Sequence, residues 1–226
     1  MKPETAPGAA VDATAGRVAS LAFGALSALR GRRVFHPKGV ARLATFDTTD
    51  FAARGRWGAA LLDEAARRRA VVRVSRGIGL PEPLPDVLGV AIRVEDAPGG
   101  VDHDILMVTA AGRAPLVRRL LVPALRPVAR PYSTLTPYQT GTGLHILLGA
   151  HIASPDRIVV EAARIGGPWE PVATVDLGAA LTEDAARDLE LNPFHSTADL
   201  RPVGIVNALR HRAYHGSQVG RALVRR

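Results

Sequence analysis

The sequence predicts an α+β domain centred on a closed, mainly antiparallel β-barrel, and three observations carry that prediction. Short runs of alternating apolar and polar residues follow one another through the middle of the chain. Turn residues separate them, and helical patterns gather at the two ends instead of alternating with the strands. Closure is expected because so many short strands would otherwise leave exposed edges. The length of 226 residues suits one domain and can bury a core without metal or disulfide staples.

Residues 1–10, rich in Pro, Gly, Ala and Thr, read as a flexible leader. Residues 11–226 are then a single barrel domain with N- and C-terminal helices. Val18, Leu21, Ala22, Ala25, Leu26 and Leu29 recur at helical spacing and predict an amphipathic helix that Gly31 ends. Strands are expected over 40–45, 70–75, 89–94 and 105–109, with a short helix over 59–69. Pro81, Pro83 and Pro85 make a rigid loop, and Ala97-Pro98-Gly99-Gly100 a turn. Leu116, Leu120 and Leu121 suggest a helix over 114–125. Strands over 144–152, 158–164 and 172–176 follow, then helices over 183–189 and 203–219. No internal repeat is present.

The formal charge is +8, and only Lys2 and Lys38 are lysines. Clusters such as Arg67-Arg68-Arg69 and Arg225-Arg226 could meet phosphates. They lack the interleaved aromatics of single-strand binders, so solvated arginine is the reading adopted and no specific nucleic-acid partner is expected. Cysteine is absent, which removes thiolate metal sites and disulfides and fits a cytoplasmic location. No run approaches the roughly 18 apolar residues of a membrane span. Lys2 offset by Glu4 gives no basic region for a secretory signal.

Two segments could carry chemistry. In Arg33-Val34-Phe35-His36-Pro37-Lys38-Gly39-Val40-Ala41, a histidine stands between cations just before a strand. Alone, that is as readily a surface histidine in a turn. In Ala70-Val71-Val72-Arg73-Val74-Ser75, Arg73 and Ser75 share one strand face and Val72 and Val74 the other. A buried arginine there requires an anionic partner, from the protein or from a ligand. His145 and His151 share a strand face and could line a cavity, or be solvated. His195, after Asn192-Pro193, reads as part of a cap. His211 and His215, at i and i+4, could bind a metal, although no carboxylate lies near them in sequence.

Taken together these segments resemble the catalase family. Residues 33–41 are similar to its R-V-V-H-A-K-G-A-G segment, Val71-Val72-Arg73-Val74-Ser75 to V-V-R-F-S, and Pro85-Asp86-Val87-Leu88-Gly89-Val90-Ala91-Ile92 to D-P-R-G-F-A-V-K. Asp104-Ile105-Leu106 resembles D-L-V. Pro131-Tyr132-Ser133, Pro168-Trp169-Glu170-Pro171 and Asn192-Pro193-Phe194-His195 resemble segments of small catalase-like proteins, as do Arg201-Pro202-Val203-Gly204 and Asn207.

The resemblance implies a catalase-like barrel, haem, and activity on hydrogen peroxide or organic hydroperoxides. It implies that His36 is the distal acid/base, that Arg33 and Arg73 pair with propionates, and that Ser75 orients His36. Catalases place an asparagine after D-L-V; here Met107-Val108-Thr109-Ala110 offers only the Thr109 hydroxyl for that catalytic role. Their tyrosinate ligand lies in an R-x-x-x-Y motif, and Arg210 and Tyr214 have that spacing. By motif order their helix corresponds to the one before the ligand helix, which leaves Tyr214 as iron ligand or as a structural tyrosine. Two other functions remain open. One is a haem-free barrel for another small apolar or anionic ligand. The other, less supported, is a phosphate-ester hydrolase or nucleic-acid binder. A chain this short leaves barrel surface uncovered, which a homo-oligomer would cover.

Overall fold

The computed structural model describes residues 38–52 and 57–203. Ten strands are found among them: β1 Lys38–Asp47, β2 Arg67–Arg76, β3 Leu88–Ala97, β4 Val101–Thr109, β5 Tyr132–Ser133, β6 Tyr138–Thr140, β7 His145–Ser154, β8 Arg157–Arg164, β9 Glu170–Ala180 and β10 Leu200–Pro202. Two short helices join them, α1 (Ala60–Asp63) and α2 (Glu183–Asp188). The described part is therefore predominantly strand, and the α+β expectation holds only in that limited sense. The helices expected over 18–29 and 203–219 fall outside the described residues apart from Val203, as does the expected leader over 1–10.

All strand pairings are antiparallel. Eight strands close a ring in the order β1-β2-β3-β4-β5-β7-β8-β9, and β9 returns to β1. The ring thus leaves no long free edge, which answers the edge problem that the sequence pattern poses. One edge of β7 is covered by two short strands in turn. Tyr132 of β5 faces Ala150, and Tyr138 of β6 faces Ile146. Strand β10 then adds to the far side of β6.

Directly paired residues share a face, so the register fixes the interior. Ala70 stands opposite Val94, Val72 opposite Ile92 and Val74 opposite Val90. Ile92 continues to Ile105, and Val90 to Met107. Leu148 opposite Ala162 and Ile158 opposite Val175 close the set, and Phe46 pairs with Val175. These apolar side chains pack as one cluster, all of them buried except Val74, which is partly buried against it. Each fully buried Leu, Ile or Phe contributes about 1.5–3 kcal/mol by leaving water.

The helix expected over 114–125 does not form. Turns occupy that stretch, and its backbone is held by partners outside it. Val122 N–H donates to the Thr109 carbonyl, and Ala124 exchanges two backbone bonds with Asp86. Pro115 and Pro123 also remove donors that a helix would need. The helix expected over 59–69 shrinks to α1, because Arg67 already belongs to β2.

Candidate functional site

The alternation of β2 places Val72 and Val74 inside the barrel and sends Arg73 and Ser75 outward. Their cross-strand neighbours are small. Ser75 stands between Gly39 of β1 and Gly89 of β3, and Arg73 between Ala41 and Ala91. The result is an outward-facing floor of glycine and alanine carrying one guanidinium and one hydroxyl. Ser75 is buried at 7% exposure, while Arg73 is half-buried.

Gly39 is required for this packing. A Cβ there would lie 2.8 Å from Ser75 Cβ, 2.8 Å from the Val74 carbonyl oxygen and 3.1 Å from Arg73 Nε. Beyond Gly89 the same row continues through Val108 and Ser133 to Gly149. There the Trp169 ring takes the space of a side chain, and a Cβ on Gly149 would lie 2.7 Å from Trp169 Cη2.

Among the expected site residues, the structure brings Arg73 and Ser75 together on this face. Arg33, His36, Arg210 and Tyr214 lie outside the described residues, as do His211 and His215. Thr109 is corrected. Its side chain is fully buried, donates to the Val122 carbonyl at 2.6 Å and accepts from Leu88 N–H at 3.3 Å. It is opposite Tyr132, on the interior face, and holds a loop to the barrel. The residue that β4 presents outward at this level is Val108, opposite Gly89.

His145 and His151 do share a face, but it is the outer one, since Ile146, Leu148 and Ala150 point inward. His151 Nδ1 lies 3.2 Å from Glu161. Glu161 is buried and also takes both Arg113 nitrogens, at 2.7 and 2.5 Å. This hydrogen bonding raises the Arg113 pKa above its ordinary value. His195 does not act as a simple cap. Its Nδ1 lies 3.2 Å from the fully buried carboxylate of Asp104.

Tyr132 and Tyr138 are also accounted for. Tyr132 donates its hydroxyl to the Pro127 carbonyl at 2.9 Å, and burial pushes its pKa up, away from phenolate. Tyr138 is buried and stacks on His103, with centroids 6.2 Å apart. Neither phenol faces the Arg73 floor, because both pair inward. Tyr214 is the remaining tyrosine of the chain.

Sequence reasoning missed His103 and Asp104. His103 is fully buried and points into the barrel opposite Val94, while Asp104 points outward opposite Arg93. The signal was the alternation in Asp102-His103-Asp104, which continues the Ile105/Met107 inward set. Among the described residues, no group of three or more His, Cys, Asp or Glu side chains could hold a metal ion.

The barrel fold has solved counterparts. A fungal catalase superposes with a TM-score of 0.58 at 11% identity, covering 83% of this chain and 59% of that one. Catalase A from Saccharomyces cerevisiae gives 0.58 at 9% identity, covering 80% and 59%. A bacterial catalase gives 0.53 at 12%, covering 75% and 53%. The fold is catalase-like. No family model and no curated protein matches the sequence. The chain spans little more than half the length of these catalase-fold structures, and the likeness at such identities concerns the fold. Among the described residues, no helix of this catalase-like chain is long and apolar enough to cross a membrane.

Proposed function

We propose that this catalase-like barrel binds haem against the outer face of β1–β3 and acts as a peroxidase on hydrogen peroxide or organic hydroperoxides. The observation that carries the reading is the Gly39/Ala41/Gly89/Ala91 floor bearing Arg73 and Ser75. A flat ring needs a surface without protruding side chains, and its carboxylates need a cation at the edge. Glycine and alanine meet the first need and the Arg73 guanidinium the second.

Haem, when bound, supplies the redox-active iron at which a peroxide O–O bond is broken. The chain's own part is binding and proton handling. Arg73, with Arg33, holds propionate oxygens by charge-assisted hydrogen bonds. His36 takes the proton from one peroxide oxygen and returns it to the other. Ser75 hydrogen-bonds the imidazole and fixes its tautomer. Tyr214, which has R-x-x-x-Y spacing with Arg210, would be the tyrosine offered to the iron, since Tyr132 and Tyr138 are committed inside the barrel.

A second reading is favoured by Val108. An aliphatic side chain stands on this face where an amide would orient peroxide. The same floor would then hold another small apolar or anionic ligand without redox chemistry.

Titrating hemin into the full chain separates the two. The haem reading expects a Soret band that saturates at one equivalent, and uptake that weakens at least tenfold in Arg73→Leu, about the contribution of a charged hydrogen bond. His36→Ala should keep the band and lose peroxidase turnover. A wild-type protein that develops no such band sinks the haem reading and leaves the ligand-binding one.

A further inference from the structure

One end of the barrel reverses the usual arrangement of a loop, in which polar groups face water and apolar groups face the core. The β2–β3 connection (residues 77–87) and the β4–β5 connection (residues 110–131) leave the barrel at the same end, because β2 and β4 run in the same direction. The isolated bridge between Asp86 and Ala124 joins the two.

The polar groups of these connections turn inward. Arg113 pairs with buried Glu161. Arg118 is fully buried, donates to the Gly167 and Arg164 carbonyls at 2.7 and 2.9 Å, and lies over the Trp169 ring. Asp86, also fully buried, accepts from the Ile78, Gly79 and Leu80 amides. With the polar side chains so used, the aliphatic ones stand outside. Leu84, Leu116, Leu125 and Val128 are 49%, 64%, 59% and 66% exposed. Because the backbone beneath them is tied to the barrel, they are displayed at little further cost in conformational entropy.

The charge on the β4–β5 side has one sign. From residue 105 to residue 155 the sequence contains no aspartate or glutamate, and it contains five arginines, all within the β4–β5 connection. Arg126 and Arg130 are exposed beside Leu125 and Val128. On the β2–β3 side, Arg76 lies 3.7 Å from both Glu82 and Asp86, so the cationic character belongs to the β4–β5 connection.

We propose that this end of the barrel docks on an anionic phospholipid surface, with Leu84, Leu125 and Val128 entering the boundary between headgroups and acyl chains and Arg126 and Arg130 meeting lipid phosphates. Exposed aliphatics among cations suit such an interface. Nucleic acid fits less well, because residues 110–131 contain no aromatic side chain on which a base could stack.

The test is co-sedimentation of the full chain with vesicles of phosphatidylcholine alone and of phosphatidylcholine mixed with phosphatidylglycerol. Binding is expected to the mixed vesicles, to fall as salt is raised, and to be weak on phosphatidylcholine alone. Combining Leu125→Glu and Val128→Glu should weaken it by roughly tenfold or more, since each change removes buried apolar area and adds a repelled charge. Val101→Glu, at the opposite end of the barrel, should leave it unchanged. The proposal is overturned if the double variant binds as the wild type does, if both vesicle types bind equally, or if neither binds. Melting curves of the variants confirm that the barrel is intact in each comparison.

Discussion

His103 and Asp104, neighbours in β4, face opposite sides of the barrel wall and hold the same segment of chain. From the inside, His103 Nδ1 accepts the Thr197 N–H at 3.0 Å. From the outside, Asp104 accepts the Asn192 N–H at 2.8 Å, and its own N–H donates to the His195 carbonyl at 2.8 Å. The segment that leads into β10 is thereby clamped on the seam between β4 and β6, where β5 is too short to close the wall.

The inner half of this clamp should be sensitive to acid. Burial lowers the His103 pKa from 6.5 to about 4, against the opposing pull of Asp104 and Asp199. The folded protein therefore holds His103 neutral, while the unfolded chain begins to bind its proton near pH 6.5. Its stability is complete above that value and falls as the pH drops from about 6.5 through about 4, by about 3 kcal/mol in all. Chemical denaturation at pH 7 and at pH 4 should show a larger loss for the wild type than for His103→Gln. Equal losses would mean that His103 is not buried in the neutral form.

The outer half should be sensitive to loss of charge. Asp104 takes Arg93 through two bonds of 2.8 and 2.7 Å, and this pairing raises the Arg93 pKa despite partial burial. Asp104→Asn keeps the shape but leaves the guanidinium only the more distant Asp102, 4.0 Å away, as counter-charge, which costs up to about 3 kcal/mol for a pair with one partner fully buried. Amide exchange at Leu200 and Arg201 should then quicken more than exchange in β7 or β8. Uniform acceleration throughout the barrel would show that the segment is not separately clamped.

Gly39→Val tests the candidate floor. Its Cβ would press on Ser75 Cβ and the Val74 carbonyl, neither of which is the free end of a flexible chain. Overpacking of this kind costs about 1–3 kcal/mol. It should also weaken hemin uptake, since a branched side chain would then stand where a flat ring has to lie. A folded variant with wild-type uptake would place any bound ring elsewhere.

Much of the barrel was legible because alternation is a strong signal in strands with one dry face. Residues 70–75 and 158–164 fall inside β2 and β8 for that reason. The misses have physical causes. β5 and β6 are interrupted by Pro137 and span two and three residues, too short to show a period. β10 has three residues, one of them proline, and is defined by its pairing with β6. In 114–125 the leucine spacing imitated a helix, but those leucines do not share a buried face. Leu116 is exposed, and the polar groups of the stretch are spent on the barrel wall. Of the candidate site, alternation placed Arg73 and Ser75 on one face correctly. Thr109 was misplaced because motif position does not reveal the face; the register puts Val108 outside and Thr109 inside.

That difference between Thr109 and Ser75 makes the last prediction. Both are buried hydroxyls near the same end of the barrel, and a site assignment from sequence would group them together. Thr109 Oγ1 donates to the Val122 carbonyl and accepts from Leu88 N–H, so Thr109→Val leaves two backbone groups without their partner while preserving shape. It should cost about 1–3 kcal/mol and leave hemin affinity and peroxidase turnover, measured on folded protein, unchanged. Ser75 faces the Arg73 floor, where its hydroxyl is proposed to act on His36. Ser75→Ala should accordingly change the pH profile of turnover more than it changes the melting temperature. If instead Thr109→Val abolishes turnover without loss of stability, the interior of the barrel, and not its outer face, meets the substrate.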